Sequence, residues 1–231
     1  QVTGVSWLWL LYRLKLGGCL ADDMGLGKTI QVISLMVLIK FVTHKKMPHL
    51  LVVPASLLGN WKKEITQFAP ELTVFIAHNS ENNLDQISIE KINTFDVIIT
   101  TYSALFRIPW IVLAQWDLLV LDEAQMIKNP GAKQTRVVKA LKSNVRFSLT
   151  GTPIENRLAD LWSLFDFTSP GLLGSSKTFD NYRKKYLQND DDDSSHKALF
   201  FSALRTLVSP YILRRLKSDK RVIQDLPDKT E

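Results

Sequence analysis

Short apolar runs alternate with segments of helical spacing along the first 167 residues of the chain. The runs at 18–21, 50–53, 73–77, 96–100, 118–121 and 146–149 predict strands, and the segments 29–42, 57–68, 102–113, 132–141 and 158–167 predict helices. Because the strand runs are apolar throughout, both faces of the sheet should be buried, which is typical of parallel strands covered by helices. The pattern predicts an α/β fold with a mainly parallel central sheet.

The pattern changes after Pro170. Two further helices are predicted at 179–187 and 197–207, separated by the acidic run 190–193, which we interpret as a solvated loop. From residue 211 the chain is basic and then contains Leu226-Pro227, so we interpret 211–231 as a linker that leaves the core. The resulting division is a main lobe at 1–170, a helical protrusion at 171–210 and the linker.

Composition narrows the class of protein without fixing it. The 231 residues, 45% hydrophobic and 23% charged, exclude disorder and low complexity, and they are too few for two lobes of a bilobal motor. A net charge of +6, with the surplus after residue 120, suggests an anionic partner. The single cysteine, Cys19, cannot form an internal disulfide, which favours a reducing compartment such as the cytoplasm. We find no apolar stretch of membrane-spanning length, so no membrane partner is expected.

The sharpest motif is DDMGLGKT at 22–29, between a predicted strand and a predicted helix. Gly25 and Gly27 let backbone amides converge on an anion, and the helix that follows points the positive end of its dipole at the same place. Lys28 would neutralise the β and γ phosphates, and Thr29 would offer its hydroxyl to magnesium. Asp22 departs from the general pattern, which has glycine there, and the alternative interpretation is a glycine turn at a helix start.

A second motif, LLVLDEAQ at 118–125, is an apolar strand that ends in two acids. Carboxyl ends of parallel strands are where open α/β sheets place their ligand sites. Asp122 can hold magnesium directly or through water, and Glu123 can orient and deprotonate an attacking water. The acidic pair and the glycine loop together predict one pocket for a nucleoside triphosphate and its metal.

In their order along the chain, these segments resemble the first RecA-like lobe of superfamily two helicases, specifically the Swi/Snf-type double-stranded DNA translocases. The similar segments are 1–8, 20–31, 51–61, 99–102, 122–130, 149–156, 213–217 and 225–229. The resemblance implies a RecA-like P-loop NTPase of three αβα layers, with ATP and Mg²⁺ as cofactors. Gln125 stands where many eukaryotic members have histidine, which favours a bacterial source.

The resemblance also implies a role for individual residues. It implies catalytic roles for Lys28, Asp122, Glu123 and Gln125, and magnesium binding by Thr29 and Asp122. It implies ATP binding by Gln1, which would read the adenine, and by Met24, Gly25, Leu26, Gly27, Lys28 and Thr29. The implied DNA contacts are Ser56, Trp61, Lys62, Thr101 and Tyr102, although for Trp61 packing in the core is an equally good interpretation. Thr150, Gly151 and Thr152 would couple the nucleotide state to DNA.

The implied partners are double-stranded DNA, a second RecA-like lobe of the same polypeptide, and DNA-bound proteins that the complete enzyme would remodel. The second lobe of such enzymes supplies arginines that reach the γ phosphate, so this lobe alone is expected to be nearly inactive in hydrolysis. Two alternatives stay open: a lobe of a strand-separating RNA or DNA helicase, and a non-catalytic scaffold that binds nucleic acid. A scaffold would be expected to lose Lys28, Asp122 or Glu123, and all three are present.

Overall fold

A computed structural model of the chain describes residues 1–44, 47–78, 87–151, 158–187 and 194–218. The helices in these ranges are α1 (Val2–Arg13), α2 (Lys28–Thr43), α3 (Leu58–Phe68), α4 (Ile89–Ile92), α5 (Pro109–Leu113), α6 (Lys133–Ala140), α7 (Leu158–Thr168), α8 (Ser176–Leu187) and α9 (Ser194–Val208). The strands are β1 (Gly18–Leu20), β2 (His49–Val53), β3 (Val74–Ala77), β4 (Val97–Thr101), β5 (Gln115–Leu121), β6 (Lys142–Leu149) and β7 (Ile212–Leu213).

These strands form one sheet of seven strands in the order β3-β4-β2-β5-β6-β1-β7. Every pairing within it is parallel. The six strands predicted from apolar runs are all present, and the α/β fold class is confirmed. Because all strands run in one direction, their carboxyl ends share one edge of the sheet.

Helices cover both faces of the sheet, and the side chains of each strand alternate between them. In β2, Leu51 and Val53 pack on the face covered by α1, α2 and α3. Leu50 and Val52 pack on the opposite face, beneath α4, α5, α6 and α7. All four side chains are fully buried, which explains why the strand has no polar alternation.

The helix predicted over 102–113 is wrong as a single element. A 3₁₀ turn occupies Ala104–Phe106, and α5 begins only at Pro109. Proline disfavours helical geometry in the residue before it, and Ile108 accordingly has φ −120° and ψ 85°. The sequence interpretation also missed α1, which buries Leu8, Leu11 and Tyr12 against the sheet.

The interpretation of 211–231 as a linker outside the core is wrong for its first residues. Ile212 and Leu213 form β7, which pairs in parallel with Cys19 and Leu20 of β1. The sheet therefore gains an edge strand from a segment about 190 residues away in the sequence.

The two helices predicted after Pro170 are present as α8 and α9. Phe165 of α7 and Val208 of α9 share a small apolar cluster that anchors this helical protrusion to the sheet. The acidic run 190–193 lies outside the described residues. The described part of the chain contains no helix long and apolar enough to cross a membrane.

Candidate nucleotide site

Three loops of the predicted site leave the same edge of the sheet. The nucleotide loop follows β1, the acidic pair follows β5, and Thr150 follows β6, the strand that lies between them. Leu20 is in register with Leu149, and Leu121 with Ser148, so the three strands end side by side. The parallel register therefore brings together motifs that are about ninety residues apart in sequence.

The nucleotide loop has the backbone that converging amides require. Gly25 and Gly27 have φ values of 81° and 72°, in the left-handed region where glycine is unstrained. Gly27 is the N-cap of α2, so the loop runs directly into the positive end of the helix dipole. Gln1, the predicted adenine reader, donates its Nε2 to the carbonyl oxygen of Leu26 at 3.0 Å. Met24 is 67% exposed, and the loop is thus open to solvent on that side.

Lys28 is the first residue of α2 and points back across the loop. Its Nζ donates to the carbonyl oxygens of Asp22 at 2.6 Å and Asp23 at 3.2 Å. Burial lowers the pKa of the ammonium, while the carboxylates of both acidic pairs, at 22–23 and 122–123, act to raise it. The charges of the second acidic pair are therefore felt at the ammonium, as expected if the loop and the acids face one pocket.

Two aromatic side chains hold Asp122 from behind. Trp61 of α3 donates its indole Nε1 to Asp122 Oδ2 at 2.7 Å, and the Glu123 amide donates to Oδ1 at 2.9 Å. The hydroxyl of Tyr102 donates to the backbone carbonyl of Asp122 at 2.8 Å. Burial raises the pKa of Asp122, and the charge of Glu123 adds to that effect. The two hydrogen bonds to the carboxylate and the charge of Lys28 oppose it.

This arrangement corrects three of the predicted DNA contacts. Trp61, Thr101 and Tyr102 are 2%, 1% and 3% exposed, so their side chains have almost no surface to offer a DNA backbone. Thr101 uses its Oγ1 locally, accepting a hydrogen bond from the Ala104 amide. Ser56 and Lys62, in contrast, are exposed beyond the carboxyl end of β2, and they stay predictions.

The sequence interpretation missed the supporting role of Trp61 and Tyr102. The available signal was their chemistry: each pairs a large apolar body with one polar atom, and such residues find a hydrogen-bond partner when buried. Trp61 follows β2, which is the neighbour of β5 in the sheet, and Tyr102 follows β4, which is the neighbour of β2. Nothing in the local sequence identified Asp122 as the partner.

A chain of hydrogen bonds links Glu123 to the end of β6. Glu123 has a positive φ of 49°, and its Oε2 accepts from Gln125 Nε2 at 2.6 Å. Thr150 in turn donates its Oγ1 to Gln125 Oε1 at 3.2 Å. A Cβ placed on Gly151 would lie 2.7 Å from Met24 Cγ, so this loop also touches the nucleotide loop. Of the predicted coupling residues, Thr152 lies outside the described residues.

The oxygen atoms available at the site fit a magnesium ion that is bound jointly by the protein and by phosphate oxygens. Mg²⁺ prefers oxygen ligands and is usually bound by one or two carboxylates together with substrate phosphates. Each oxygen of Asp122 accepts one hydrogen bond, which leaves lone pairs on both for a metal. Thr29, the second residue of α2, carries the hydroxyl expected to be the other protein ligand.

Comparisons with known proteins agree with this geometry. The profile of the SNF2-related domain matches residues 1–231. The ATP-dependent helicase/translocase YwqA of Bacillus subtilis is 39% identical over the whole chain. The TATA-binding protein-associated factor mot1 of Aspergillus fumigatus is 41% identical over 99% of the chain. These alignments cover only 25% and 13% of the two relatives, so the chain spans a quarter or less of their length.

A solved structure, the Sulfolobus solfataricus SWI2/SNF2 ATPase core in complex with dsDNA, superposes on 98% of the chain with a TM-score of 0.84 and 40% identity. The chain covers 46% of that structure. The resemblance to Swi/Snf-type ATPases and the RecA-like fold that it implied are thereby confirmed. The chain belongs to the SNF2-related domain family.

Proposed function

We propose that this chain is the ATP-binding lobe of a double-stranded DNA translocase, and that it binds ATP with Mg²⁺ and supplies the carboxylate base that activates the attacking water. One observation carries the proposal. In the parallel register β1, β6 and β5 end side by side, which places Lys28, at the start of α2, and the acidic pair Asp122 and Glu123 at the same edge of the sheet. A cation for phosphate and an acidic pair for metal and water therefore share one pocket.

The role proposed for each residue follows from its position in the pocket. Lys28 would exchange its two loop carbonyls for phosphate oxygens, which are stronger acceptors for an ammonium group. Asp122, fixed by Trp61 and Tyr102, would be a ligand of the magnesium. When bound, the metal would neutralise charge on the β and γ phosphates.

Glu123 would accept the proton of the attacking water. Its Oε2 is held by Gln125, which leaves Oε1 as the basic atom. Because Gln125 also contacts Thr150, a shift of the loop after β6 would move the base. We infer that this chain of hydrogen bonds is how Thr150 would relate nucleotide state to DNA, while the coupling roles of Gly151 and Thr152 stay predictions.

Double-stranded DNA is the proposed partner because the superposed Sulfolobus core was solved with dsDNA. Ser56 and Lys62 are the exposed candidates for phosphate contacts at the edge of the sheet that holds the site. Since the chain matches less than half of that core, we propose that a second RecA-like lobe completes hydrolysis. The mot1 relative, named for association with the TATA-binding protein, supports a DNA-bound protein as a further partner. A duplex DNA partner would place the protein in the bacterial cytoplasm or nucleoid, or in a eukaryotic nucleus.

Nucleotide binding and steady-state hydrolysis test the proposal separately. The chain should bind a fluorescent ATP analogue only with Mg²⁺, and Lys28→Ala should abolish binding, whereas Lys177→Ala on the exposed face of α8 should leave it unchanged. With saturating duplex DNA, turnover should be about 10³-fold or more below that of a two-lobed relative. Failure to bind nucleotide would refute the ATP site, and turnover equal to the relative's would refute the need for a second lobe.

A further inference from the structure

The aspartate that breaks the general nucleotide-loop pattern is paired with an arginine from the far end of the chain. Asp22 is fully buried. Its Oδ1 accepts from the backbone N of Arg215 at 2.9 Å and from the side-chain Nε at 3.0 Å. Its Oδ2 accepts from Arg215 Nη2, which completes a bidentate ion pair. A residue that would be glycine in the general pattern is thus the anchor for a segment 193 residues away.

The backbone around this ion pair continues the contact on both sides. The amide of Ala21 donates to the Leu213 carbonyl at 2.7 Å, and the amide of Asp23 donates to the Arg215 carbonyl at 3.1 Å. The amide of Lys217 then donates to Asp23 Oδ2 at 2.9 Å. We call residues 212–217 the latch segment, because they run beside β1 and then along the first half of the nucleotide loop.

Arg215 also reaches the far side of the loop. Its Nη2 donates to Gln31 Oε1 at 2.7 Å, and Gln31 Nε2 donates to the Gly27 carbonyl at 2.9 Å. Arg215 is therefore hydrogen-bonded to Asp22, at the start of the loop, and to Gln31, whose side chain holds the carbonyl of Gly27. The latch segment also lies over the loop, since Lys217 Nζ would be 3.2 Å from a Cβ at Gly25.

We propose that the latch segment couples nucleotide affinity to the position of the chain that leaves the lobe, with Arg215 as the positioning residue. If Arg215 undocks, the buried carboxylate of Asp22 keeps a long hydrogen bond of 3.5 Å from Gln31 Nε2 but loses its ion pair. A buried carboxylate without its charged partner is strongly destabilising, so the present position of Asp22 depends on Arg215. Phosphate binding needs the loop amides in that arrangement. Nucleotide binding should therefore stabilise the docked position of the latch segment, and undocking of the latch segment should weaken nucleotide binding by the same factor.

The proposal rests on nucleotide binding at the site described above, and hydrogen exchange on the unmodified chain tests the two ideas separately. A nonhydrolysable ATP analogue with Mg²⁺ should slow amide exchange in the loop 22–29 and also in the latch segment. Protection of the loop without any change at 212–217 would overturn the latch. Absence of protection in both regions would refute nucleotide binding itself, and the latch with it.

Substitutions test the coupling in the other direction. Arg215→Gln should weaken binding of the analogue by about tenfold, within the usual range for coupled sites. The neighbouring exposed arginine offers a control with the same charge change, and Arg214→Gln should stay within about twofold of the unmodified chain. Asp22→Asn should also weaken binding, and the double variant should be no weaker than the worse single variant, because both changes break one contact. Additive losses, or equal losses in Arg214→Gln and Arg215→Gln, would overturn the proposal. Should Arg215→Gln fail to fold, the exchange measurement above still decides.

Discussion

Trp61→Phe isolates the hydrogen bond that holds the carboxylate of Asp122. The substitution keeps an aromatic ring in a site where the indole is 2% exposed, and it removes the donor Nε1, which lies 2.7 Å from Asp122 Oδ2. A hydrogen bond to a charged, buried acceptor contributes about 1.5–3 kcal/mol, and only the ionised carboxylate receives the full amount. Its loss should therefore raise the pKa of Asp122 further above its usual range.

The sign of the pH dependence follows from that shift. A carboxyl group whose pKa is raised by folding destabilises the folded state above that pKa, and the penalty disappears as the pH falls toward the unfolded value of about 3.9. Trp61→Phe should therefore cost about 2 kcal/mol more at pH 7 than at pH 4, beyond any loss from packing. Urea unfolding at the two pH values measures the difference. Nucleotide binding should also need more Mg²⁺ as the pH is lowered, because protons compete for Asp122.

A matched control comes from the opposite face of the sheet. Trp116 is also fully buried, and its Nε1 donates to the neutral carbonyl of Ile111 at 3.1 Å. Trp116→Phe should lose stability by a similar packing term, equally at both pH values, and should leave the Mg²⁺ requirement unchanged. A loss of stability for Trp61→Phe that is the same at pH 7 and pH 4 would refute the assignment of this hydrogen bond to the charged carboxylate.

Two further predictions concern DNA contact and acid stability. If Lys62 contacts a DNA phosphate, Lys62→Ala should lower the slope of log DNA affinity against log salt concentration by about one. The control is Lys91→Ala, on α4 at the opposite edge of the sheet, which should leave the slope unchanged. Equal slopes for the two variants would show that Lys62 does not contact DNA. His49 is buried, with its Nδ1 3.9 Å from Asp117 Oδ2, and burial lowers the pKa of its imidazole. As the pH falls, His49 is therefore protonated in the unfolded chain before it is protonated in the folded chain. Stability should therefore fall by more than about 1 kcal/mol as the pH drops below about 6.5. His49→Gln should flatten that fall, while the exposed His44→Asn should not, and a fall that persists in His49→Gln would contradict the assignment.

The sequence alone determined six of the seven strands of the described sheet, the helices α2, α3, α6 and α7 that cover it, and the two motifs that follow strands β1 and β5. Strands of a parallel sheet are buried on both faces, so apolar runs such as 50–53 identify them without any knowledge of their partners. The nucleotide loop is also a local feature, because the positions of Gly25, Gly27 and Lys28 follow from a few consecutive residues. The break near Ile108 had a local signal as well, in the proline that follows it.

Only the tertiary structure decided which side chains complete the site. Trp61 and Asp122 are 61 positions apart, and whether an aromatic residue turns outward to DNA or inward to a carboxylate depends on packing that no local pattern records. Ile212 and Leu213 are too short a run to be identified as a strand from sequence, and they form β7 because they pair with the edge of β1. The pairing of Asp22 with Arg215 spans 193 positions, and it exists because β7 brings the arginine to the loop as the fold closes. Local sequence encodes backbone preference and burial, whereas contacts across the sheet depend on which strands become neighbours.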